Sequence, residues 1–124
     1  MSNEIMANNS NYICTVNPDS FDGARAIANA INASSSLADL GDKPFTVVDI
    51  ITMPGVRAKT GEACTQSYFI LEDGTSLFTQ ADGIARSITA LMPIIKNWLH
   101  DGITMRVRAQ PTKSGNTVKT LELV

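Results

Sequence analysis

Apolar positions along the chain recur at two periods, and the change between them falls near Pro44. Before it, Phe21, Ala24, Ile27, Ala28 and Ile31 stand at helical spacing. Asn17-Pro18-Asp19-Ser20 precedes them as a turn and helix cap, and Asp22 lies in the first turn, where an acid suits the helix dipole. The spacing predicts a short amphipathic helix from Ser20 to about Ala33, then a loop rich in Ser, Asp and Gly up to Lys43. Tyr12 to Val16 is short and β-prone and reads as an extra edge strand.

After Pro44 the character becomes that of strands. Phe45 to Met53 is rich in β-branched residues and stops at Pro54-Gly55, a turn signal. A polar loop, Val56 to Ala63, leads into a second strand over Cys64–Glu72. Asp73-Gly74 reads as a two-residue hairpin, because both residues tolerate the positive φ such turns demand. Thr75–Gln80 returns as a third strand, with Phe69 then opposite Phe78 and Tyr68 opposite Thr79. Ile84, Ile88, Leu91, Met92, Ile95 and Leu99 form one stripe of a longer helix near Asp82–Leu99, with Asp82 at its cap. Pro93 lacks a backbone donor, so a kink or a helix in two pieces is expected. Ile103–Gln110 alternates as a fourth strand, Thr112–Asn116 is a polar loop, and Thr117–Val124 is a fifth strand.

Strand, strand, strand, helix, strand, strand is the element order of an OB-type Greek-key barrel. The expected fold is therefore mainly β (α+β): a five-stranded barrel over residues 44–124, with a helix between strands three and four and an extra N-terminal helix. A five-stranded sheet with both helices on one face competes with it. Residues 1–11 read as a flexible lead-in and residues 12–124 as one domain.

Composition sharpens this picture. The 124 residues suit one core, with 44% apolar and 18% charged residues. No apolar run reaches membrane-spanning length. The polar N-terminus has no basic start followed by an apolar stretch, which favours the cytoplasm and free thiols at Cys14 and Cys64. The net charge of −2 is uneven. Up to Asp42, Arg25 stands alone against Glu4, Asp19, Asp22, Asp39 and Asp42, whereas Ile103–Val124 holds Arg106, Arg108, Lys113 and Lys119 against Glu122.

No catalytic set stands out. His100 is the lone histidine, and Cys64, a nucleophile that could pair with it, is at an unlinked position. Cys14, Cys64 and His100 are too few and scattered for zinc. Neither G-x-x-x-x-G-K-[ST] nor G-x-G-x-x-G occurs, so no phosphate cradle is declared and no cofactor is expected. Asp49 reads as a strand edge position. The chain is expected not to be an enzyme.

Binding is better supported. On an OB barrel, oligonucleotides lie on the second and third strands, between the loops after strands one and four. Those loops would bring Arg57, Lys59 and Lys113 to the rims. Strand four would present Arg106 and Arg108 on one side by alternation, and Lys119 would follow on strand five. Phosphates need such cations, and unpaired bases need aromatic faces. Tyr68 is the expected platform, with Phe78 its possible companion, since the Phe69–Phe78 pair is the better candidate for the core. Trp98 reads as a partly buried anchor.

Phe45–Ile50 (FTVVDI), Tyr68–Gly74 (YFILEDG) and Ile103–Leu123, with its KSGN loop and TLEL strand, together resemble the small single-stranded DNA-binding proteins of phages with protein-primed replication. The resemblance covers about the last 80 residues. It implies a replication accessory protein that coats displaced single strands cooperatively, through self-association, without sequence preference. The competing expectation is a protein-binding module, such as a small inhibitor of a host protein, favoured by the negative net charge and the few aromatics.

Overall fold

The computed structural model describes residues 13–124. The lead-in at residues 1–11 and Tyr12 lie outside the described residues. Helix α1 spans Phe21–Ala33, and Ser20 caps it by accepting a hydrogen bond from the Gly23 amide at 3.0 Å. That bond satisfies one of the orphan donors of the first turn. A two-residue strand β1 (Ser35–Ser36) and a 3-10 turn (Leu37–Leu40) follow. Then come β2 (Phe45–Val56), β3 (Ala63–Leu71), β4 (Ser76–Thr79), helix α2 (Asp82–Ile95), a 3-10 turn (Leu99–Asp101), β5 (Ile103–Pro111) and β6 (Thr117–Leu123).

The strands form one six-stranded sheet in the order β1-β4-β3-β2-β5-β6, curled into a half-barrel within a mixed α+β fold. Every pairing is antiparallel except β1 with β4. The expected strand number was five; the sixth is β1, where Ser35 pairs with Leu77 and Ser36 with Phe78. Two serines carry no apolar alternation, so nothing in the sequence marks them. They pair because the chain leaving α1 runs along the edge of β4.

Strand β2 is shared along one side. Its start, Phe45–Val47, pairs with β5, and the register shifts between Val47 and Asp49. Past that point its edge is taken by the expected N-terminal edge segment: Cys14 bridges Ile51, and Thr52 N donates to the Ile13 carbonyl at 2.7 Å.

The inner face of the curl holds the main core. Val47, Ile50 and Phe69 from the sheet meet Ile84, Ile88 and Leu99 from the α2 segment, and Met105 closes the far side. Phe45 and Phe69 pack edge to face with centroids 5.5 Å apart, a favoured aromatic geometry. Helix α2 lies against β6, where Ser87 Oγ accepts the Leu121 amide at 3.2 Å. Gly83 sits on the Lys119 carbonyl so closely that a Cβ there would overlap it. Asp82, expected as the cap, is the first helical residue; Ala81 holds the cap position, and its amide donates to Thr79 Oγ1 at 3.2 Å. The helix ends at Ile95, two residues past Pro93, and the 3-10 turn at Leu99 continues the apolar stripe.

Two packing expectations are corrected. The β3–β4 turn is one residue longer than expected: Leu71 N donates to the Thr75 carbonyl and Gly74 N to the Leu71 carbonyl, with Gly74 at φ 88°. Phe69 therefore faces Leu77, and Tyr68 faces Phe78. One added turn residue exchanges every cross-strand partner. Helix α1 is also rotated from its expected stripe. It buries Gly23 and Ala30, with Ala26 and Ile27 half-buried, while Phe21 stays 77% exposed.

Glycine inside a helix ordinarily costs about 1 kcal/mol relative to alanine. At Gly83 the sign reverses: Gly83→Ala should destabilise by roughly 1–3 kcal/mol through overpacking against the Lys119 backbone. Urea unfolding checks this; a stabilised variant would mean that α2 does not rest on β6.

Candidate nucleic-acid interface

The outer face of the curl carries a second, smaller core. Ile51 and Tyr68 lie on it, covered by Val16 and by Ala30 of α1, with Phe78, Ile70, Ala26 and Ile27 around them. Tyr68 and Phe78 are cross-strand neighbours with ring centroids 5.2 Å apart. Gln66 Nε2 donates to Tyr68 Oη at 3.1 Å, and Gln80 Nε2 donates to Gln66 Oε1 at 2.9 Å. Burial pushes the Tyr68 phenol up from its ordinary pKa, the Gln66 bond opposing it. Tyr68, expected as an open stacking platform, is only 4% exposed. The reason is α1 together with the Val16 segment, which both lie over it. Phe78 is half-buried in the same place.

Alternation along β5 sends Met105 and Val107 inward and Arg106 and Arg108 outward, as expected. Glu122 stands directly across from Arg106 on β6. Its carboxylate accepts from Arg106 Nε at 2.6 Å and from Arg108 Nη1 at 2.7 Å. One acid thus holds two guanidiniums side by side and leaves a net positive charge on the trio.

The other cations do not join them. Lys119 pairs with Ala109, whose alternation places it on the inner side, and both line a cavity of about 280 Å³ with Leu37, Ile84, Val107 and Asp42. Arg57 holds the β2–β3 loop to the start of α2: its Nη2 lies 3.1 Å from Asp82 Oδ1 and donates to the Gln80 carbonyl at 3.1 Å. Lys59 and Lys113 are exposed on the β2–β3 and β5–β6 loops. Among the described residues neither has a carboxylate within ion-pair distance. The register sends these loops away from opposite ends of β2. The eight expected residues therefore divide: Arg106, Arg108, Tyr68 and Phe78 share the outer face, and the remaining four are apart.

Two features were missed. Glu122 as a clamp was recoverable from the β5–β6 hairpin, which sets it opposite Arg106. An apolar patch at the end of α2 was not foreseen: Ile94, Leu123 and Val124 surround Trp98, which is 64% exposed and not the partly buried anchor expected.

The structure does not bring Cys64 and His100 together. Burial pushes the Cys14 thiol above its ordinary pKa; its bond to the Val16 carbonyl opposes this, and the nearby Asp49 carboxylate adds to it. Cys64 is a buried free thiol paired with Gly55, whereas His100 Nδ1 lies 3.4 Å from Asp49 Oδ1. Those β2 positions are roughly 20 Å apart at about 3.3 Å per residue. Asp49 also accepts from Thr15 Oγ1 at 2.6 Å. Among the described residues no three His, Cys, Asp or Glu side chains gather as a metal site, and no helix is long and apolar enough to cross a membrane.

Comparisons with protein families, with characterised proteins and with solved structures find no match for the chain.

The Arg106–Glu122–Arg108 trio is more than a third solvent-exposed, so screening weakens it. Glu122→Gln should cost less than about 1 kcal/mol of stability by urea unfolding. A larger loss would make the trio a structural clamp.

Proposed function

We propose that this protein is an OB-type barrel that binds single-stranded DNA without sequence preference, as a replication accessory protein, with phosphates on Arg106 and Arg108. The observation that carries the reading is the outer face itself. It bears two guanidiniums on β5 and, two strands across, the aromatic pair of β3 and β4; the register also offsets them along the strands, since Met105 meets Phe45 whereas Tyr68 meets Ile51, so the arginines and Tyr68 are roughly 20 Å apart. The strand order from Phe45 onward supports the barrel assignment: β4-β3-β2-β5-β6, with α2 between the third and fourth of these in sequence, follows the Greek-key order. The resemblance to phage single-strand binders points the same way.

An apolar patch centred on an exposed tryptophan favours a second reading, a protein-binding module, because exposed aromatic anchors mark protein interfaces. Capture of a cellular protein that Trp98→Ala abolishes, with no oligonucleotide bound at low salt, selects it.

Anisotropy of a labelled oligo-dT across a salt series tests the leading reading. Affinity should fall with salt at a log–log slope of about −0.7 per phosphate contacted. Replacing Arg106 and Arg108 by Ala should weaken binding to all sequences alike and flatten the slope by about 0.7–1 per residue. Glu122→Gln should strengthen binding by freeing both guanidiniums. No binding at low salt overturns the proposal, and an unmoved slope removes the two arginines from the site.

A further inference from the structure

We infer that α1 is a displaceable cover, and that the surface beneath it, Tyr68 and Phe78 on β3 and β4, is a stacking site for unpaired nucleobases. This rests on the DNA-binding reading above and names where the bases would go.

The seat of α1 is thin. Ala26, Ile27 and Ala30 are the helix side chains that reach the second core. Of its three large apolar residues, Phe21 and Ile31 point away and stay 77% and 45% exposed. The helix end is tied to the sheet by the Ser34 Oγ–Ser76 Oγ bond at 2.8 Å and by the short β1–β4 pairing that follows it. The fit is also incomplete. A cavity of about 230 Å³ lies between Ala26, Asn29 and Ala30 on the helix and Ile70, the turn residue Gly74 and Ser76 below it. Atoms lining such a gap forgo the dispersion contacts of a filled interface.

What lies below differs from a conventional core contact. Two rings sit side by side on one sheet face, tilted by 38°. Bases stack on such rings whatever their sequence. The same face carries Arg106 and Arg108, so a strand held there by its phosphates reaches β3 and β4 without changing sides of the sheet. The main core, on the other face, does not use α1. The helix can therefore leave without opening that core.

The 2.8 Å approach of Ser34 and Ser76 suits a reversible lock, since a disulfide needs Cβ atoms about 3.5–4.5 Å apart. Ser34→Cys with Ser76→Cys, in a Cys14→Ser, Cys64→Ala background, pins α1 when oxidised. The reduced form, which has lost the serine–serine bond, should bind oligo-dT at least as tightly as the parent. The oxidised form should bind at least tenfold more weakly with its salt slope unchanged, and dithiothreitol should restore it. Equal affinity in both forms overturns the cover while leaving DNA binding standing. Absence of binding by the parent removes the DNA-binding reading and this inference with it. Hydrogen exchange of the unmodified protein gives a second measurement should the cysteine variants not fold. Saturating oligo-dT should speed exchange across Phe21–Ala33 and spare Phe69 and its neighbours. Undiminished protection of α1 overturns the cover.

Discussion

The arrangement depends on how a curled sheet hides its inner face. Val47, Ile50 and Phe69 on β2 and β3 project into a space that the strands alone leave open, and Ile84 and Ile88 of α2 fill it. That insertion works only if the start of α2 comes down onto the β6 backbone, which Gly83 permits and a larger residue would not. With α2 seated, β5 and β6 are held against the rest of the sheet, and their outward side chains acquire a defined place. Arg106 and Arg108 are positioned by apolar packing on the opposite side of their own strand.

The two faces of the sheet are stabilised unequally. The inner face is a closed core with fully buried Phe69, Ile84 and Met105. The outer face is divided into a charged end on β5 and an aromatic end on β3 and β4, with the aromatic end beneath a helix of mostly small residues. Regions with few buried apolar contacts open at lower free energy than the core does.

Charge is organised on the same principle. Glu122 holds two guanidiniums near each other in water, and their mutual repulsion is reduced at modest cost because the trio is half-exposed. A phosphate, carrying the same charge as that carboxylate, can compete for them. Arg57 is committed otherwise: it fastens the β2–β3 loop to the start of α2, and its loss would be felt first in loop position.

The element types and much of the inner face were legible in the chain. The N-terminal helix with its Ser20 cap, the strands from Phe45 onward, the second helix and the outward pair Arg106 and Arg108 all follow from periodicity and local backbone chemistry. These depend on residues close in sequence, where spacing alone determines which side chains share a face. Long-range choices were not legible. Whether Asp73-Gly74 closes a two- or three-residue turn decides whether Tyr68 meets Thr79 or Phe78, and both turns suit the same residues. Which side of α1 is buried depends on the flat aromatic surface it meets, so Ala26 and Ala30 lie inside and Phe21 outside. Whether a cation is free depends on a partner elsewhere in the chain, as Asp82 is for Arg57 and Glu122 for Arg106. Sequence determined what each segment is; only packing between distant segments decided what each segment covers, because burial is a property of two surfaces and a local pattern describes one.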